Sequence, residues 1–183
     1  LGAIWAGGGV AHVTATQHIA LAAGAEAGTE RMMALMAVVG LGSAVGIWWL
    51  NARGSRYPRH AVLAAGLVLA AAGLACFAVS SRFAVFTAAA LLIGLGAAPA
   101  FVLPETMLQE GAGTRQRGRV FGARDFLMRL MLLGGQTLAG LATPLAGTGA
   151  TLLGASGFFA LVAGGALWLG RRLPATADPQ RRP

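Results

Sequence analysis

Charged residues cut this chain into uncharged runs about as long as a bilayer is thick, and that spacing limits the fold more than any motif does. A helix rises about 1.5 Å per residue, so a hydrocarbon core about 30 Å thick takes roughly 20 apolar residues. Leu1–Ala25 carries no charge, and the short Glu26–Arg31 loop follows it. Met32–Ala52 is again uncharged, followed by Arg53, Arg56 and Arg59. Ala61–Ser81 is uncharged, and Arg82 alone separates it from Phe83–Pro104. A polar stretch from Glu105 to Arg129 leads into Leu130–Gly170, uncharged over twice the length of one span. Thr143-Pro144 and Gly147-Thr148-Gly149 supply the turn residues that divide it. Backbone groups facing lipid must bond within their own segment, so each run is expected to be a helix. The ten-residue alternation of membrane-barrel strands is absent. The fold class expected is therefore all-α: an integral membrane bundle of six transmembrane helices over residues 1–172. Its spans lie near 1–24, 32–51, 61–81, 83–104, 122–145 and 150–170, and 173–183 form a tail.

Composition agrees with lipid as the solvent. Only 11% of the 183 residues are charged against 56% hydrophobic, whereas a soluble domain carries roughly a quarter charged residues. All 14 basic residues are Arg, and the net charge is +8. In a soluble chain this would suggest nucleic acid; here the Arg lie between apolar runs and act as topology signals, so no nucleic-acid partner is expected. Twelve of the 14 follow spans two, four and six, leaving Arg31 and Arg82 on the other side. The positive-inside rule places the larger group, both ends and the tail in the cytoplasm. Cys76 is alone within an apolar run, so neither a disulfide framework nor a metal cluster is available, and no cofactor is expected. The chain opens at Leu1 directly in an apolar segment with no charged leader before it, so an upstream part is expected.

Glycine is abundant at 28 residues. Gly42, Gly46, Gly66, Gly73, Gly94, Gly96, Gly135 and Gly140 lie within spans, where small residues let helix backbones approach. Gly40-Leu41-Gly42-Ser43-Ala44-Val45-Gly46 superficially matches a dinucleotide fingerprint, but that motif needs a preceding strand, and none is expected here.

Polar groups inside spans are costly and therefore functional candidates. The first span is richest, with His12, Thr14, Thr16, Gln17 and His18. His12 and Thr16 are four apart and share a face, with Gln17 flanking it. His12, Thr16 and Gln17 are the substrate-cavity candidates; the plainer reading has them pairing with neighbouring helices, with His18 near the outer interface. Arg129 lies one turn after Asp125, a spacing that allows an ion pair or an interfacial Arg whose head reaches water. Gly154-Ala155-Ser156-Gly157 matches the serine motif of rhomboid-type intramembrane proteases, but no His follows Ser156 to serve as its base, so no enzyme is expected.

Three stretches resemble the second six-helix half of the major facilitator superfamily, in its bacterial efflux members. Gly7-Gly8-Gly9 with His12-Val13-Thr14 looks like that half's opening helix, and Gly40–Gly46 like the small-residue helix after it. The most specific is Arg117-Gly118-Arg119-Val120-Phe121-Gly122 with Gly134-Gly135 and Leu138-Ala139-Gly140, similar to the loop and helix between the fourth and fifth spans. In the loop after span two, Arg53-Gly54-Ser55-Arg56 keeps Gly and Arg but lacks the family's acidic residue. The resemblance implies half of a twelve-helix transporter in the bacterial inner membrane, working by alternating access on a small molecule, with protons as coupling ion and an N-terminal half as partner. Gly118, Arg119, Gly122, Asp125 and Arg129 are the candidates for its cytoplasmic gate. A non-transporting six-span subunit, with an assembly or sensor role, is the alternative.

Overall fold

The computed structural model describes residues 2–111 and 117–172; Leu1, Arg115 and the tail at 173–183 lie outside the described residues. All six elements longer than a turn are α-helices: α1 (Gly2–Ala23), α2 (Ala25–Arg53), α3 (Arg59–Val79), α4 (Phe83–Gly111), α5 (Arg117–Ala146) and α6 (Thr148–Arg172). A single 3-10 turn at Gly54–Arg56 joins α2 to α3. Five of the six, α2 through α6, contain stretches long and apolar enough to cross a membrane. The 22-residue α1 is not among them, because His12, Gln17 and His18 interrupt its apolar surface.

Helices run further than the uncharged runs. α2 starts at Ala25 and includes the Glu26–Arg31 segment expected as a loop. α4 continues past Pro104 to Gly111, and α5 is already helical at Arg117. The reason is physical: charge ends residence in hydrocarbon, not helicity, and Glu, Arg, Met and Ala are all good helix formers. Two turns are single glycines. Gly24 and Gly147 take φ of 82° and 83°, left-handed values that a Cβ disfavours, and so reverse the chain within one residue.

The helices divide into two triplets. α1 packs on α5 and α6, α4 packs on α2 and α3, and α3 and α6 lie against each other. Exchanging α1 with α4, α2 with α5 and α3 with α6 carries these contacts onto one another, although α1 also packs on α2 far more than its counterpart α4 does on α5. Because short turns make successive helices antiparallel, exchanged helices point in opposite directions. The packing therefore has the pattern of an inverted repeat. Its closest crossings are backbone on backbone. A methyl at Gly42 would lie 2.6 Å from the Leu91 carbonyl oxygen of α4, and Gly94 answers from α4 against Val39 and Ser43. Gly9 and Gly135 make the equivalent mutual crossing of α1 and α5. The Ser43 hydroxyl donates to the Gly94 carbonyl (3.2 Å), and the Ser156 hydroxyl to that of Ala71 (2.8 Å), tying α2 to α4 and α6 to α3. Gly140, grouped with these from the sequence, faces open space.

Candidate functional site

A cavity of about 470 Å³ lies at the centre of the bundle, with residues from all six helices in its wall. α1 and α4 make next to no contact with each other, and small residues leave the gap between them unfilled: Gly8, Ala11 and Ala15 on α1, Ala97 and Ala100 on α4. The volume is in the range of small-molecule sites.

Its chemistry is mostly apolar. Trp5, Met36, Phe77, Phe101 and Phe159 contribute the large surfaces. The polar side chains on the wall are His12, Ser43 and Gln136, one from each of α1, α2 and α5. No Asp, Glu or Arg among the described residues lines it. An imidazole, a hydroxyl and a primary amide both donate and accept hydrogen bonds without carrying fixed charge. Such a wall suits a neutral, largely apolar molecule with one or two polar groups, since a fixed charge would enter without a counterion.

Aromatic contacts stand at both ends of the cavity, which is open along part of its wall. At the arginine-rich end Trp5 meets Phe101 edge to face, with ring centroids 5.3 Å apart. One turn further along α4, Glu105 forms an ion pair with Arg124 of α5, whose side chain is only 15% exposed. At the opposite end Phe77 and Phe86 stack at 4.7 Å. There the His18 ring bonds the Thr148 hydroxyl (2.8 Å) and reaches the Ser80 carbonyl (3.4 Å), linking α1 to the start of α6 and the end of α3.

Of the three cavity candidates read from the sequence, His12 is on the wall. Thr16 is exposed beside it, and its hydroxyl donates to the His12 carbonyl (2.8 Å) within the same helix. Gln17 is exposed and is not part of the wall. The gate candidates lie on the open surface of α5. Asp125 and Arg129 pair with each other at 2.9 Å, with side chains 55% and 80% exposed. Arg119 is exposed, and a methyl at Gly118 or Gly122 would meet nothing within 4 Å. Among the described residues, Arg124–Glu105 is a charge pair that joins two helices at this end, and sequence reasoning missed it. Gln136 and Ser43 were missed too. Gln136 carried a signal, as the one amide in the 41-residue uncharged run; Ser43 is identified only by the α2–α4 crossing.

No family model, curated protein or solved structure matches the chain.

Proposed function

We propose that the chain is the C-terminal six-helix half of a secondary transporter of the major facilitator type, exporting neutral lipophilic small molecules by alternating access. The observation that carries this reading is the central cavity, held between two helix triplets packed as an inverted repeat, with His12, Ser43 and Gln136 as its polar points. Secondary transporters place substrate sites between such repeats near the bilayer midplane. In this reading α1 is the sixth span, its polar residues tolerated because the bundle and a wet cavity shelter them. α2 and α5, the helices with the least buried apolar stretches, face the second half of the transporter. His12, the one ionisable side chain on the wall among the described residues, is the candidate proton carrier. The arginine-rich end faces the cytoplasm, and Trp5–Phe101 and Glu105–Arg124 form this half's share of the inner closure.

The test uses everted membrane vesicles carrying the whole gene product that contains this chain. Energising a proton gradient should drive uptake of a neutral lipophilic dye such as Nile red, and a protonophore should abolish it. Gln136→Leu should reduce that uptake severalfold, while Gln17→Leu should leave it unchanged. If vesicles with and without the protein behave alike across a panel of neutral dyes, transport is refuted and a non-transporting six-span subunit takes its place.

A further inference from the structure

A second concavity, on the outside of the bundle, is distinct from the central cavity. α2 and α3 both pack on α4 yet make next to no contact with each other beyond the turn that joins them. Between them opens a slot of about 440 Å³. Gly46 of α2 and Ala65 and Gly66 of α3 make its walls narrow and smooth, Leu69 extends them, and Leu95 and Pro99 of α4 form its floor. Ala65 and Leu69 are exposed, so the slot faces away from the bundle, toward the surrounding lipid in a membrane. At one end stand Trp49 and Tyr57, whose rings stack at 5.9 Å with an interplanar angle of 19°. These are the residue types that settle at the level of lipid headgroups.

Beyond that aromatic pair the chemistry changes abruptly. Arg53 lies one helical turn past Trp49, on the same face of α2. Arg56 is adjacent to Tyr57 in the 3-10 turn. Both Arg are exposed, and no acidic residue occurs anywhere from Leu50 to Arg59. A hydrocarbon-lined slot, an interfacial aromatic pair and a cationic rim thus follow one another along a single line. An anionic phospholipid has the same three levels in the same order: acyl chain, glycerol ester and phosphate. A second copy of this chain is disfavoured as occupant, because its own arginine rim would be brought against this one.

We propose that the α2–α3 slot is a binding site for an anionic phospholipid, with an acyl chain between Gly46 and Ala65 and the phosphate held by Arg53 and Arg56. Basic pockets between transmembrane helices recognise anionic headgroups by this electrostatic means. The proposal needs the chain to be membrane-embedded but is independent of whether it transports anything.

Native mass spectrometry tests it, with the full chain in micelles exposed to equimolar phosphatidylglycerol and phosphatidylcholine. The wild-type chain should retain phosphatidylglycerol severalfold over phosphatidylcholine. The double substitution Arg53→Gln with Arg56→Gln, outside the apolar stretch and remote from packing, should reduce that ratio to about one. Ala65→Phe, which fills the slot from an exposed position, should lower retention of both lipids. Equal retention of the two lipids by the wild-type chain would overturn the proposal. So would a preference that survives the double arginine substitution, whatever the folding of the Ala65 variant.

Discussion

The crossing of α2 and α4 makes a quantitative test available with a built-in control. Gly42→Ala adds a single methyl that would stand 2.6 Å from the Leu91 carbonyl oxygen, 3.1 Å from the Leu95 nitrogen and 3.2 Å from Gly94 Cα. All three are backbone atoms, so no side chain can rotate away. Restoring ordinary van der Waals distance requires the helices to separate by about 0.5–1 Å, a gap that forfeits a quarter to a half of each dispersion contact across the crossing. The Ser43–Gly94 hydrogen bond, already 3.2 Å long, stretches past its useful range, and interhelical bonds of this kind contribute about 0.6 kcal/mol on average. With the usual overpacking cost of about 1–3 kcal/mol, the total is about 1.5–3.5 kcal/mol. Gly40→Ala, on the same helix and two residues away, meets nothing within 4 Å and should cost about zero. Helix propensity does not separate the two, since both replace Gly by Ala in the same helix. Unfolding by sodium dodecyl sulfate in mixed micelles, followed by fluorescence of Trp5, Trp48, Trp49 and Trp168, gives the comparison directly. Equal midpoints for the two variants would refute the claim that backbone contact holds α2 against α4.

Two further experiments separate features that look alike in the sequence. Glu105→Gln leaves the Arg124 guanidinium, largely enclosed, without its counterion and should cost about 1–3 kcal/mol in the same unfolding assay, less than a fully buried pair because Glu105 is partly exposed. Asp125→Asn removes a pair that is open to solvent and should stay within about 0.5 kcal/mol of wild type; similar losses in both would mean the helix-bridging pair holds nothing. For sidedness, in a Cys76→Ala background, Ser81→Cys should react with an impermeant maleimide in intact cells, and Tyr57→Cys should react only after permeabilisation, both positions being exposed. The opposite pattern would invert the orientation.

Helix positions were legible in the sequence because charge and lipid exclude each other, so Arg53, Arg82 and Arg171 mark where hydrocarbon ends. Helix ends were less legible for the same reason: Glu26 through Arg31 leave the apolar stretch without leaving α2. The cavity was half legible. The density of polar groups in the first span pointed to α1, which places His12 on the cavity wall, but density says nothing about angle. Thr16 turns its hydroxyl to its own backbone and Gln17 faces outward. Ser43 and Gln136 reach the same space from two other helices, and no spacing along the chain relates positions 12, 43 and 136. Likewise Asp125 and Arg129 announce themselves by their i, i+4 interval, whereas Glu105 and Arg124 meet only once α4 and α5 are laid side by side.

α4 holds two prolines inside its length, Pro99 and Pro104, and their placement has a mechanical meaning. Lacking an N–H, Pro99 leaves the Leu95 carbonyl without its usual partner one turn on. The helix is therefore more compliant there, and again at Pro104, which frees the Ala100 carbonyl in the same way. α4 is clamped as far as the joint at Pro99 itself: Gly42 grips it at Leu91 and Gly94, Gly73 at Ala89 and Ile93, and Gly66 at Gly96 and Pro99. Beyond the joint lie Phe101 and Glu105, the residues that reach Trp5 and Arg124. The clamped part behaves as an anchored stem and the rest as a lever about 9 Å long from Pro99 to Glu105, at 1.5 Å per residue. A 20° change of bend, the scale of an ordinary proline kink, swings Glu105 by about 3 Å, enough to part it from Arg124 while every glycine crossing on the stem stays seated.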